Sequence, residues 1–258
     1  MTTIQLLLLA GGGLFSGILA GFLGIGGGTV LVPLLVTLGY TPVESVATSS
    51  LAILMTSLSG SIQNWRMGFF NFKRVLYIGL PAIFTAQLGA SLANWVPDYI
   101  LLLTFGLLLW LNIYLVQLRK QITQDVEAAR HESSNPLLAR LFTGGAAGFL
   151  AGFFGVGGGV IMVPLQILLL GETIKAAIQT SLGVIVITAV SACVGHAWRG
   201  NVLPLEGLLL GIGGLIGAQI STRFLPKLRD TTVTIAFRTL LGLLSIYVFV
   251  QAWVSYHG

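Results

Sequence analysis

The stretch GFLGIGGGTVLVP at residues 21–33 returns as GFFGVGGGVIMVP at residues 152–164. Each copy lies inside a long apolar run. Glycine in a helix interior costs about 1 kcal/mol relative to alanine, so three in a row disfavour an unbroken helix. The solvent sharpens the constraint. Only 8% of the 258 residues are charged and 55% are hydrophobic, with a mean hydropathy of +0.93. A soluble domain carries about 25% charged residues, so the chain reads as a membrane protein. In lipid, non-helical backbone survives only where protein covers it or where it lines a cavity. Both glycine breaks must therefore turn inward.

The copies extend beyond the motif. Residues 16–35 and 147–166 match at twelve of twenty positions, at a constant offset of 131. Weaker matches follow: VATSSL at 46–51 with IQTSL at 178–182, NWRMG at 64–68 with HAWRG at 196–200, and LGASLANWVP at 88–97 with IGAQISTRFLP at 216–226. Each half holds five apolar runs, the second too short to cross about 30 Å of hydrocarbon comfortably. It is either a short span or part of a hairpin that turns back in the membrane. Both readings give each half an odd number of crossings, so the halves lie in opposite orientations. The expected fold is an all-α integral membrane protein of two inverted-topology repeats, residues 1–118 and 138–258, with about ten helical segments. A polar cytoplasmic linker, 119–137, joins them.

Charge sets the orientation. Loops 66–74, 119–140, 171–175 and 223–231 fall on one side and hold Arg66, Lys73, Arg74, Arg119, Lys120, Arg130, Arg140, Lys175, Arg223, Lys227 and Arg229; the other side has Arg199. By the positive-inside rule the first side is cytoplasmic and both termini are outside. The basic residues cap apolar runs rather than interleave with aromatics, which argues against nucleic-acid binding. Cys193 is the single cysteine and the three histidines show no ligand spacing, so neither a metal nor another cofactor is expected. No clustered acids or histidines suggest an enzyme.

At each break a new helix starts, and its first N–H groups lack helical partners and carry partial positive charge. That suits an anion. The candidate substrate-binding residues are Gly26, Gly27, Gly28 and Thr29, with Gly157, Gly158 and Gly159 in the second copy, where Val160 replaces the threonine. Neither copy has the lysine of a nucleotide-binding phosphate loop. Thr48, Ser49 and Ser50, answered by Gln179, Thr180 and Ser181, are candidate donors or simply bond back along their own helices. Arg238 lies inside the last run, where a charge marks a pathway or snorkels to the surface. Asn64 and His196 are gate candidates. Arg66 and Arg199 either attract anions to the two mouths or sit in the interface. The glycines spaced by four, Gly13, Gly17 and Gly21 and again Gly144, Gly148 and Gly152, read as close helix packing.

The doubled GxxGxGGGxxxxP motif at Gly21–Pro33 and Gly152–Pro164, with the T-S and W-R elements, resembles the TauE/SafE family of membrane exporters over nearly the whole chain. The resemblance implies secondary transport in the bacterial inner membrane. The substrate implied is a small sulfur-containing anion such as sulfite, sulfoacetate or a related sulfonate. The expected partners are that anion and membrane lipid, with a homodimer left open. An anion channel and an uptake permease for similar anions remain alternatives.

Overall fold

The computed structural model describes residues 3–125 and 136–257. Among them are ten α-helices and no strand: α1 Thr3–Leu23, α2 Gly28–Thr37, α3 Pro42–Arg66, α4 Phe72–Ala93, α5 Asp98–Asp125, α6 Pro136–Phe154, α7 Gly159–Leu170, α8 Ile174–Ala197, α9 Pro204–Phe224 and α10 Asp230–His257. A 3-10 turn, Leu225–Lys227, links the last two. Seven of the described helices are long and apolar enough to cross a membrane. The expected linker is helical to Asp125 and helix resumes at Pro136; its centre, with Arg130 and His131, lies outside the described residues.

Local signals fix the boundaries. Thr41 caps α3 in a reciprocal box, accepting from Glu44 N while the Glu44 carboxylate accepts from Thr41 N. Thr173 caps α8 and Asn71 caps α4. The α2 and α7 helices have 10 and 12 residues, about 15 and 18 Å at 1.5 Å per residue. The first doubles back along α1, with Ser16 at Gly27 and Gly12 against Leu34. Each short helix is thus the return limb of a hairpin.

The packing is crosswise. A Cβ on Gly13 or Gly17 would strike the backbone of Leu210 or Gly214 in α9; one on Gly144, Gly148 or Gly152 would strike Ile78, Ala82 or Ala86 in α4. These are the glycines whose four-residue spacing suggested close approach. They bring α1 alongside α9 and α6 alongside α4, the two helices of each pair running in the same direction. Polar clasps extend each pair to a third helix. Ser59 Oγ on α3 donates to Leu215 O of α9 at 2.8 Å and lies 3.0 Å from Gln219 Oε1. Ser191 Oγ on α8 donates to Ile83 O of α4 at 2.7 Å, and Gln87 Nε2 donates to Ser191 O at 2.6 Å. The result is two trios, α1–α3–α9 and α6–α8–α4, that meet along α3 and α8. There α3 and α8 run antiparallel, with Gly60 against Leu182 and Asn64 at Gln179.

The loops sort to two ends. Arg74 pairs with Glu172 at 2.8 Å, Lys175 Nζ donates to Pro226 O and Arg140 lies over the Tyr77 ring. That end gathers Arg66, Lys73, Arg74, Arg140, Lys175, Arg223, Lys227 and Arg229. At the opposite end Tyr40 donates to Glu206, Arg199 to Ser91 and Asn201 to Asn94. Glu44, Asp98 and Glu206 lie there, and burial with the Glu206 carboxylate raises the Tyr40 phenol above its usual value near 10.

Packing by backbone contact predicts a sharp contrast. Gly17→Leu should lower the thermal stability of the detergent-purified protein by about 1–3 kcal/mol, the range for an overpacked contact, or prevent its recovery. Gly11→Leu should be tolerated, because a Cβ there meets nothing within 4 Å. Thermal unfolding of both variants followed by size-exclusion chromatography checks this.

Candidate functional site

The two breaks have nearly the same backbone. Gly24, Gly26 and Gly27 have φ of 67°, 74° and 88°, and Gly155, Gly157 and Gly158 have 63°, 74° and 74°. Side chains with a Cβ rarely adopt these values. The third glycine of each triplet is needed for space instead. A Cβ on Gly28 would collide with Gly155 O, and one on Gly159 with Gly24 O. The two breaks therefore cross in contact, each helix start laid against the other's turn.

Hydroxyl side chains donate to carbonyls of the breaks. Ser16 Oγ donates to Gly27 O at 2.9 Å, Ser49 Oγ to Gly155 O at 2.7 Å and Thr188 Oγ1 to Gly157 O at 3.2 Å. Removing a donor from a buried acceptor costs about 1–3 kcal/mol, so these hydroxyls hold the crossing together. The amides are treated differently. The first helical bonds of α2 run from Val30 and Leu31 to Gly27 O, and the Met162 amide of α7 bonds to Gly158 O. The N–H groups ahead of them, on Gly28 and Thr29 and on Gly159 and Val160, have no carbonyl in their own helix. All four residues are buried. Thr29 Oγ1 is buried with no hydrogen-bond partner among the described residues. Two positive helix ends thus face one another at mid-length of α3 and α8.

The crossing is packed closed. Ile53 of α3 and Ile185 of α8 each lie against both Gly26 and Gly157. Nothing in the sequence separates these two isoleucines from the other apolar residues of their runs. Of the remaining candidates, Ser49 joins the crossing through Gly155. Thr48 Oγ1 accepts from Leu203 N at 3.1 Å and holds the start of α9. Ser181 Oγ accepts from Gln166 Nε2 at 2.9 Å. Thr180 is buried one helical position before it. The correspondence between α3 and α8 also shifts by one residue. The caps Gly27 and Gly158 are 131 apart, but Thr41 and Thr173 are 132 apart. Thr48 and Ser49 thus correspond to Thr180 and Ser181, while Gln179 falls opposite Ala47 and Ser50 opposite Leu182.

Asn64 and His196 correspond in the same register and are both fully buried. The Asn64 Nδ2 donates to Gln179 O over a long 3.5 Å, and its Oδ1 has no partner among the described residues. His196 Nε2 lies 2.8 Å from Gly152 O, and its Nδ1 has no partner among them. They flank the crossing toward opposite ends. Arg66 is exposed at the basic end. Arg199 at the other end donates to Gly195 O and to Ser91 Oγ. Arg238 is half-buried on α10, which packs chiefly against α5, and has an interaction of its own. No group of three His, Cys, Asp or Glu among the described residues could hold a metal.

The family described as Sulfite exporter TauE/SafE matches residues 9–248. A probable membrane transporter protein of Bacillus subtilis (strain 168), YdhB, is 28% identical over 90% of this chain and 96% of its own length. A second from that organism, YunE, is 26% identical over 94% and 97%. The archaeal MJ0441 of Methanocaldococcus jannaschii, also named a probable membrane transporter protein, is 24% identical over 92% of both chains. With its several apolar helices and its glycine breaks, the chain is a multi-pass membrane transporter belonging to the TauE/SafE family.

Proposed function

We propose that the protein exports a small sulfur-containing anion, such as sulfite, sulfoacetate or a related sulfonate, across the inner membrane by alternating access. The observation that carries this reading is the crossing of two helix starts with amide hydrogens uncommitted to their own helices and the unpartnered Thr29 hydroxyl beside them. An oxyanion centred on sulfur offers several acceptor oxygens to such donors without a full ion pair being buried. The halves would insert in opposite orientations, a reading supported by the antiparallel run of α3 and α8 and by the basic residues gathered at one end. That end would face the cytoplasm, with both termini outside.

The two trios are the moving bodies in this reading. Each is clasped internally by its glycine contacts and its Ser–Gln pair, whereas α3 and α8 meet mainly through apolar side chains. Rocking at that seam would part the crossing toward the Asn64 side or the His196 side in turn. Ile53 and Ile185 are the groups that must withdraw for an anion to reach the amides. Their closure over both breaks favours gated exchange over an open channel. Asn64 and His196, each with one buried polar atom unpartnered among the described residues, would meet water and substrate as their side opens, and Arg199 would draw anions to the mouth at its end.

Thr29→Val should weaken sulfite binding about tenfold, the loss of about 1.4 kcal/mol expected for one hydrogen bond to an anion. Thermal shift with sulfite, sulfate, thiosulfate, taurine and sulfoacetate reads this and ranks the substrates. Unchanged affinity would take the hydroxyl out of the site.

The seam is tested separately. In a Cys193→Ser background, a reversible bifunctional thiol reagent across Asn64→Cys and Gln179→Cys should stop flux into proteoliposomes until reduced. The same reagent across Ser59→Cys and Leu215→Cys, within one trio, should leave flux intact. Arrest by both pairs, or by neither, would reject these bodies as the moving units.

A further inference from the structure

A cavity of about 350 Å³ lies away from the crossing, between the last two turns of α3, the start of α4 and the middle of α8. Its walls are apolar: Leu58 and Ile62 of α3, Leu76 of α4, and Val186 and Ile187 of α8. Four of its lining side chains, Leu58, Trp65, Phe72 and Leu76, are about half exposed or more, so it opens on the outer surface of the helix bundle. It runs from Trp65 at the basic end down to Leu58, about 10 Å along the helix. Ser61 sits in the wall between them, 7% exposed, and its hydroxyl has no partner among the described residues.

The two halves differ in their pattern of large and small residues beside this groove. At the corresponding place across the molecule, Leu51 of α3 fills the space over Gly207 of α9. Here the positions are exchanged. Gly183 of α8 stands where Leu51 would be, and Val75 and Phe70 occupy the space that its Cβ would take.

We infer that this groove holds one acyl chain of an anionic phospholipid, with the lipid phosphate on Lys73 and Arg66. Both cations are exposed and each follows a residue of the groove rim, Phe72 and Trp65. Arg74, next along, is committed to Glu172. Ser61 lies about 7.5 Å below Arg66 along α3, at the level where a chain's ester carbonyl would accept its proton. The groove seats the chain beside the two cations, and the headgroup charge at the membrane surface then discriminates between lipids, so the preference lasts only while the groove is open to a chain.

The test uses the full-length purified protein in neutral detergent, offered equal amounts of phosphatidylglycerol and phosphatidylcholine with the same chains. Native mass spectrometry should show several-fold higher occupancy by phosphatidylglycerol. Leu58→Trp, which fills the groove from its exposed rim, should reduce that occupancy to the phosphatidylcholine level. The surface pair Arg66→Gln with Lys73→Gln should do the same without touching the core. Equal occupancy of the two lipids by the unaltered protein would overturn the inference. So would a preference that survives Leu58→Trp, or displacement of the lipid by glycerol 3-phosphate alone.

Discussion

The structure depends on two backbones touching where neither has a side chain. Gly28 rests on the Gly155 carbonyl and Gly159 on the Gly24 carbonyl, and the peptide groups on either side are unwound. In hydrocarbon each such group would cost several kcal/mol. Only a surrounding shell of protein makes the arrangement tolerable. Much of the rest can be understood as that shell. The α3 and α8 helices cross over the contact with Ile53 and Ile185, and hydroxyls from α1, α3 and α8 meet the exposed carbonyls. The outer helices separate the whole from lipid.

A membrane offers almost no hydrophobic reward for packing one apolar helix on another, so close backbone approach and a few buried polar contacts have to specify partners. This chain uses both. Glycine rows set the helices at short range, and the serine–glutamine clasps at Ser59 and Ser191 fix which third helix joins. Away from the crossing, the contact of α3 with α8 has fewer such devices. Its long 3.5 Å contact from Asn64, whose Oδ1 has no partner among the described residues, marks it as the less committed interface. Differences of that kind are what allow a packed protein to have more than one arrangement.

Much of this was legible in the residues. The membrane setting, the two breaks and the packing glycines follow from composition and spacing, because each is a local property of a short stretch. Partner choice was not. A glycine row announces that some backbone comes close, but not that Gly13 meets Leu210 almost two hundred residues later. The single extra residue between the caps of α7 and α8 relative to those of α2 and α3 displaced the expected matches of Ser50 and Gln179. At the shifted offset of α3 and α8, Ser59 answers Ser191 and Gln87 answers Gln219, the residues of the two clasps. The isoleucines that close the crossing carried no signal, since any large apolar residue reads alike in a greasy run. The groove beside Gly183 was equally silent, because its walls come from α3, α4 and α8 and only three-dimensional placement brings them together.

The crosswise pairing has a consequence for how the molecule is made. The ribosome delivers α1 long before α9, and the first break more than a hundred residues before the second. At about 5–20 residues per second, the roughly 200 residues from Leu23 to Phe224 take about 10–40 s to synthesise. For that interval the nascent hairpin holds bare peptide groups beside a bilayer that cannot solvate them. Its early helices must therefore be sheltered by the insertion machinery, or remain shallow and loosely seated, until the later helices arrive to enclose them. Biogenesis of this transporter is in that sense a single late event, in which its earliest-made helices settle last.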